Sequence, residues 1–418
     1  MAHINRQRQI QLLNRYSLNE LMPTNQLPSN FAVFCGSTRQ RSTIGLYAIQ
    51  QCVGRIGVVF IHDDPALAER LNTIQRSGTS TALHYPNRII TPGNLHYDPL
   101  YGLNESTILD IIVPQNPDGF TTPVVDGIRA RLADYLSIMR YRYNMSPDAF
   151  GNYPYNLDML VQLTQMSYTQ LKDTVFIYLP EHMRTQLEAR LSADNVQQSV
   201  RDAVQKFQKH MEHYLWTPRN GLSHTRISIY ESVVHRHIIS IYVPNSAPEI
   251  LDYIDHELQA LTETQTPYFL MGSGINLLKN ERIKTRFLGE HTQLNYRTGI
   301  LSGSPTNVLS SGISDFGNLT SQYQNVIVLE CSGTAEAELF SQASGTYYRR
   351  VISVHQDRNR QPLHILPSNS RGRAVTEQEE RRIRPNELTS LDRGALIFSK
   401  NRHQPMLINH FNLTTQNT

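Results

Sequence analysis

The sequence is short of cysteine, tryptophan and lysine, and it holds no long apolar run. Cysteines number three in 418 residues: Cys35, Cys52 and Cys331. An odd count, with no C-x-x-C and no Cys/His ligand spacing, excludes a disulfide framework and a structural zinc. Cys35 and Cys331 lie in or beside apolar runs, which points to core burial and fits a reducing compartment. No stretch approaches the ~20 apolar residues needed to span a bilayer. The opening MAHINRQRQIQLLNRYSLNELMP lacks an apolar core of signal-peptide length. The expectation is a soluble chain whose membrane association needs a partner. A net charge of +3 is too small to argue for nucleic acid by itself. G-x-S-x-G, H-E-x-x-H and a catalytic cysteine context are also missing, so a hydrolase of those kinds has no support. No repeat of fixed period is visible. What is present is a globular chain, 39% hydrophobic, long enough for two or three domains.

The stretch Phe31 to Pro65 organises the rest. Phe31–Cys35 is an apolar run of strand length that ends at Gly36. Gly36-Ser37-Thr38 is turn chemistry. Ile44, Tyr47, Ala48 and Cys52 recur at helical spacing, and a second apolar run follows over Gly57–Ile61. This is the βαβ unit that opens a parallel sheet. In such units a phosphate sits at the helix N-terminus, where free N–H groups and the helix dipole favour an anion. A phosphate loop reads G-x-x-x-x-G-K-[ST]. The eight residues here are Gly36, Ser37, Thr38, Arg39, Gln40, Arg41, Ser42 and Thr43. The first Gly and final Thr are present, but Arg41 replaces the second Gly and Ser42 replaces the Lys. A phosphate loop that has lost its chemistry and a plain strand-turn-helix that never bound nucleotide both fit these residues.

Further along, the pattern alternates between strands and helices. Ile4–Leu21 reads as a short basic helix, and Ala66–Gln75, Ser106–Val113 and Thr122–Tyr143 as helices. Arg88–Thr91 reads as a strand. Ala149–Asn156 is rich in Gly, Tyr and Pro and marks a boundary. From Leu157 to Trp216 the chain is helical throughout, with Asn156, Ser167 and Asp194 as caps and Pro180 as a start signal. Strand runs resume at Ile227–Ile229, His237–Val243, Pro267–Met271, Gly299–Ser302 and Val326–Cys331. Helices are expected at Pro248–Leu261, Glu281–Phe287, Thr334–Ser344 and Pro385–Leu391. Asn369–Arg384 reads as a charged loop, and Ala395–Ser399 with Met406–Phe411 as a hairpin. The pattern predicts an α/β fold: a doubly wound, mainly parallel sheet with an inserted all-helical subdomain. The expected division is a basic helical lead-in over 1–26, α/β segments over 27–150 and 226–418, and the helical insertion over 151–225.

The order of these pieces resembles the cytoplasmic ATPase domain of type IV coupling proteins, the ring motors of conjugation and type IV secretion. The resemblance runs from about Leu27 to Phe411. It is carried by Gly36-Ser37-Thr38, by the strand ending in Asp63, and by Tyr97-Asp98-Pro99-Leu100 in place of the family's NPL connector. The helical insertion and the closing Arg384-Pro385-Asn386-Glu387-Leu388 before a hairpin complete it. It implies a RecA-like P-loop NTPase fold. In that family the second acidic strand ends in Asp-Glu, which hold Mg²⁺ and polarise the attacking water. Here that strand ends in Gly272-Ser273. The downstream glutamine sensor is replaced by Gly303-Ser304. Lysine, both acids and the sensor are absent together. The resemblance therefore implies a pseudo-ATPase: a scaffold or adaptor in conjugation or type IV secretion. It would be cytoplasmic, held at the inner membrane face by protein partners, with DNA as a further contact and a homo- or hetero-oligomeric assembly. ATP with Mg²⁺ is the only cofactor suggested, and Asp63 the one acid left at a strand end. Two other readings stand beside it. One is an active or nucleotide-gated DNA-translocating ATPase with an atypical loop. The other is an unrelated α/β protein-binding module.

Arg39 and Arg41 are candidate phosphate ligands or solvated turn residues. Asp63 is a metal ligand or a helix-capping acid. His235 with His237, and His210 with His213, read as surface pairs. The run Arg371–Arg384 reads as an exposed loop, or as a contact for an acidic partner or DNA phosphate. Tyr141, Tyr143, Tyr153 and Tyr155 beside Arg140 and Arg142 suit a nucleic-acid or protein interface, or a structural cluster at a domain junction.

Overall fold

The computed structural model describes residues 10–64, 87–90, 97–115, 122–147, 152–192, 196–211, 227–243, 250–274, 280–289, 295–309, 312–359, 368–402 and 404–413. The expected Ala66–Gln75 helix and the Asp194 cap lie outside them. Twelve strands are described: β1 (Gln11–Ser17), β2 (Phe31–Phe34), β3 (Gly57–His62), β4 (Asn87–Ile90), β5 (Ile238–Tyr242) and β6 (Tyr268–Ser273). The others are β7 (Tyr296–Ser302), β8 (Asn325–Val328), β9 (Thr346–Asn359), β10 (Ser368–Arg381), β11 (Ala395–Ser399) and β12 (Met406–Asn412). Two compact units divide the chain. The first comprises Met1–Thr24, Ser29–Ile44 and Ser302–Thr418, and the second Asn25–Pro28 and Gly45–Leu301. The architecture is the expected one, α/β with a mainly parallel sheet.

In the second unit the strand order is β7-β6-β3-β5-β4, and every pair is parallel. β3 is GVVFIH and all six residues are buried. A continuous apolar run of this kind is what a strand needs when helices cover both faces. The same unit holds the helical block. The Pro123–Met145 helix packs against helices Leu157–Gln165, Glu181–Leu191 and Gln197–Met211. Leu132, Leu136, Met139, Leu160, Leu163, Leu187, Val200, Val204 and Phe207 form its core. Asn156 and Ser167 cap the helices they were expected to cap, and Ser167 with Gln170 forms a capping box. A buried glutamine ties the block together. Gln197 accepts from the Tyr135 hydroxyl at 2.8 Å and donates to the Thr164 carbonyl at 2.8 Å.

In the first unit the order is β1-β12-β11-β8-β2. β2 and β8 are parallel, and β11 runs antiparallel to both β8 and β12. Three expectations fail here or nearby. Gln11–Ser17 is not part of a helix. It pairs in parallel with β12, Leu13 opposite Ile408 and Tyr16 opposite Phe411, and among the described residues of the expected Ile4–Leu21 helix only Leu18–Leu21 is helical. The ladder supplies hydrogen bonds to a segment whose side chains are largely exposed. Asn369–Arg384 is not a loop, because Ser368–Arg381 pairs along its whole length with β9 as a separate two-stranded ribbon. Ile227–Ile229, in the second unit, is not a strand. Ile227 makes a single bridge to Tyr97, after which Ser228 caps a helix over Ile229–Val234. Among the described residues, no helix is long and apolar enough to cross a membrane.

Candidate functional site

Three residues, Cys35, Gly36 and Ser37, separate β2 from the helix that follows. Cys35 (φ +62°) and Gly36 (φ +64°) both take the left-handed conformation. At Gly36 a Cβ would stand 2.7 Å from the Leu329 side chain, so glycine is required there for space as well as for φ. The turn is tied to the sheet by Cys35 N–H donating to the Ser302 carbonyl (3.1 Å) and Gly36 N–H to that of Glu330 (2.8 Å).

Helix begins at once, at Thr38. In a phosphate loop the segment from the first glycine to the lysine must stay open, so that its N–H groups converge on the anion. Here Ser37 and Gln40 close a capping box instead. Gln40 N–H donates to Ser37 Oγ at 3.2 Å, and Ser37 N–H donates to Gln40 Oε1 at 2.8 Å. Arg41 N–H is already a helical donor, to the Ser37 carbonyl at 3.1 Å. Four amides of the loop, those of Gly36, Ser37, Gln40 and Arg41, are spent inside the protein.

Arg41 completes the closure. Its Nη1 donates to the Cys35 carbonyl at 3.0 Å and to the Gly36 carbonyl, and its Nη2 donates to Thr38 Oγ1 at 3.2 Å. The guanidinium therefore lies over the loop, half-buried and bonded to the turn's own carbonyls. Gly303, at the lost sensor position, packs beneath it, where a Cβ would stand 3.2 Å from Nη2. Ser42, at the lysine position, is buried and turns its hydroxyl back to the Thr38 carbonyl (2.7 Å). Thr43 does the same to Arg39 (2.8 Å). Arg39 is exposed. A magnesium nucleotide does not fit these residues. Ser42 stands at the lysine position, and the Gly36, Ser37, Gln40 and Arg41 amides and the Ser42 and Thr43 hydroxyls are engaged with the chain itself.

The second-motif position lies in the other unit. Gly272 is opposite Ile61 and Ile300, and Ser273 opposite His62 and Leu301. Gly272 is buried and Ser273 half-buried at the end of β6. Asp63 packs its carboxyl group on Gly274 (φ +122°), where a Cβ would stand 2.4 Å from its carboxylate atoms. Asp63 is thus engaged in the turn between strand ends. His62 is buried, and its Nε2 meets Ser240 Oγ at 2.7 Å. Burial pushes its pKa down to about 4 against the pull of Asp64. Among the described residues, no three His, Cys, Asp or Glu side chains converge on a metal position.

Other candidates resolve differently from expectation. His235 ends the Ile229–Val234 helix and Arg236 has φ +59°. His235 and His237 therefore meet across a turn, ring centroids 5.8 Å apart and stacked, not along a strand. Tyr153 packs edge-on against Tyr101 at 5.0 Å, and Tyr143 donates to the Asn152 carbonyl at 3.1 Å. These tyrosines form a structural cluster at the base of the helical block. His210 and His213 lie where side chains are not described. Cys35, Cys52 and Cys331 are all buried free thiols.

One polar node escaped the sequence reading. Glu257 is fully buried, accepting from the Tyr97 hydroxyl and from Tyr230 N–H at 3.0 Å. Beside it, Asp98 accepts from Leu100 N–H (3.0 Å) and from Leu157 N–H (2.9 Å), the first residue of the helical block. Tyr97-Asp98-Pro99-Leu100 is thereby pinned to two helices. A lone Glu on an apolar helix face, Leu251, Ile254 and Leu258 around it, was the available signal.

No protein-family profile matches the chain, and no curated protein does. Among solved structures it is similar to the bacterial conjugative coupling protein TrwB, unbound form. Identity there is 12% and the TM-score 0.45, over 94% of this chain and 87% of that one. TrwB in complex with ADP and Mg²⁺ is similar at 12% identity and TM-score 0.44, over 94% and 88%. VirB4 of Thermoanaerobacter pseudethanolicus is similar at 10% identity and TM-score 0.38, over 75% and 80%.

Proposed function

We propose that this chain is a catalytically degenerate, coupling-protein-like pseudo-ATPase, a scaffold or adaptor in conjugative DNA transfer or type IV secretion. The observation that carries the reading is the closed loop. The helix starts at Thr38 and the Arg41 guanidinium bonds two carbonyls of the turn. The ordered motif remnants, from Gly36 through Tyr97–Leu100 to Arg384–Leu388, support the ancestry. Phosphoryl transfer depends on positioning and charge neutralisation. Each missing donor or acid of that kind costs ~3 kcal/mol or more of barrier, and here lysine, two acids and the sensor are missing at once. What remains useful is the α/β body with its helical block, a rigid platform for protein partners of a secretion or conjugation complex, in a homo- or hetero-oligomer. Those partners hold the chain at the cytoplasmic face of the membrane. Phosphate release by the purified full chain, with and without DNA, tests this. Release at the no-enzyme background in both conditions is expected, and turnover comparable to an active motor overturns it.

A further inference from the structure

Cys35 and Cys331 are far apart in sequence and adjacent in the fold. β2 and β8 run parallel, with Phe34 opposite Val328. Their pairing continues past the strand ends. Leu329 N–H donates to the Phe34 carbonyl at 2.9 Å, and Gly36 N–H to the Glu330 carbonyl at 2.8 Å. The second bond joins the Cys35–Gly36 peptide unit to the Glu330–Cys331 unit, so the two cysteines flank one hydrogen bond. Neighbouring strands lie ~4.8 Å apart, and a disulfide needs Cα atoms roughly 4.4–6.8 Å apart. Both thiols are free and buried, at 1% and 2% exposure. The side chains meet: a hydrogen bond to the Cys331 thiol, ahead of burial, holds the Cys35 thiol far above its ordinary range.

Two charged groups attend the pair. The Cys35 thiol donates to Glu336 Oε2 at 3.9 Å, in the first turn of the helix Thr334–Ala343. Glu336 is half-buried and also accepts from the exposed Ser332 hydroxyl at 3.5 Å. A proton leaving Cys35 therefore has an acceptor that reaches solvent. The Glu336 charge adds to the rise in the Cys35 pKa, and the Arg41 guanidinium, bonded to the Cys35 carbonyl at 3.0 Å, opposes it. Cys52 offers the contrast. It ends the Thr38–Cys52 helix, its thiol donates to the Ala48 carbonyl at 3.5 Å, and burial, with no second cysteine involved, raises its pKa.

We infer that Cys35 and Cys331 form a peroxide-responsive dithiol, closing to a disulfide that clamps the turn after β2 to the segment after β8. The Cys35 thiol gives its proton to Glu336, and the thiolate attacks a peroxide oxygen. The O–O bond breaks, leaving a sulfenic acid on Cys35, and the departing hydroxide takes the proton from Glu336 as water. The Cys331 sulfur then attacks the sulfenic sulfur. The S–S bond forms, and hydroxide leaves with the Cys331 proton as a second water. The two thiols lose two electrons and the peroxide gains them. The raised pKa of Cys35 makes the first step slow, so the pair answers sustained exposure. Both cysteines belong to the first unit, and the ring they close contains all of Gly45–Leu301. A long ring restricts the unfolded chain, so the oxidised form is the more stable one. None of this depends on whether the Gly36 loop takes nucleotide.

The test is thiol counting on the full chain, reduced or exposed to hydrogen peroxide, then unfolded and labelled with a maleimide for intact mass spectrometry. The reduced chain has three free cysteines and is expected to take three labels. The oxidised chain is expected to take a single label, at Cys52, and dithiothreitol to restore the rest. A peptide map of the oxidised chain is expected to show Cys35 joined to Cys331. Oxidation is expected to raise the chemical-denaturation midpoint reversibly. In Cys331→Ser the sulfenic acid has nothing to resolve it, and dimedone is expected to trap it on Cys35 with no rise in midpoint. The wild-type peptide map decides the matter should that variant fold poorly. Three labels after peroxide overturn the inference, as do label losses that dithiothreitol does not restore. A bridge that uses Cys52 or joins two chains, or an unchanged midpoint in the bridged chain, also overturns it.

Discussion

Arg41 carries a permanent charge, and a half-buried guanidinium must find acceptors. Those acceptors are the carbonyls of Cys35 and Gly36, two residues in the left-handed conformation. Arg41→Ala removes three hydrogen bonds and leaves both carbonyls to water. A loss of about 1–3 kcal/mol in unfolding free energy is expected, read from chemical denaturation. ATP hydrolysis is not expected to appear in that variant, because Ser42 still occupies the lysine position.

Two buried groups set an opposite pair of pH dependences. Glu257 is pushed up to about 8 by burial, against the bonds from Tyr97, Tyr230 and Ile229, with Asp98 adding to the rise. Its folded pKa exceeds its ordinary value of 4.5. The folded state binds the extra proton, and stability falls as pH rises through that window. His62 is held at about 4, below its ordinary 6.5. The unfolded state binds that extra proton, so stability falls as pH drops through that lower window. The two slopes oppose each other between 4.5 and 6.5, and above 6.5 only the Glu257 slope remains. Stability is therefore expected to decline between about pH 6.5 and about pH 8. Glu257→Gln, which keeps an acceptor for the amides and a donor for Tyr97, should flatten that decline. Urea midpoints at those two pH values check it, and an unchanged slope in the variant contradicts the assignment.

At the scale of elements, the start of the Thr38–Cys52 helix decides the loop's fate. Ser37→Ala deletes the cap and should cost ~1 kcal/mol, measurable as a shift in denaturation midpoint. The departures from a phosphate-loop pattern, Arg41 and Ser42 at the second-Gly and Lys positions, are in the sequence, and so is the S-x-x-Q spacing of Ser37 and Gln40 that makes the capping box. Most apolar strands and capped helices were legible for the ordinary reason that burial imposes a period. Segments whose order comes from partners far away in sequence were not. β1 takes its hydrogen bonds from β12, nearly four hundred residues on, and its Leu12-Leu13 beside arginines suits an amphipathic helix equally well. β10 is polar on both faces, so it carries no period-two signal, and its strand character comes from β9.

For the whole molecule, Asp98 ties the Tyr97–Leu100 turn of the second unit to the Leu157–Gln165 helix, accepting from Leu100 N–H and Leu157 N–H. Its first unit presents a sheet edge at β1 and an arginine-bearing ribbon. Neither needs a nucleotide cycle to be useful. Under the proposed reading, the chain's interactions are expected to be indifferent to ATP.

Calorimetric titration of magnesium–ATP into the full chain addresses the closed loop most directly. The account predicts no saturable heat, because Ser42 stands at the lysine position and the Ser37, Gln40 and Arg41 amides and the Arg41 guanidinium bond within the chain. Saturable, magnesium-dependent binding that is abolished by substitution of Gly36 or Thr43 would contradict it.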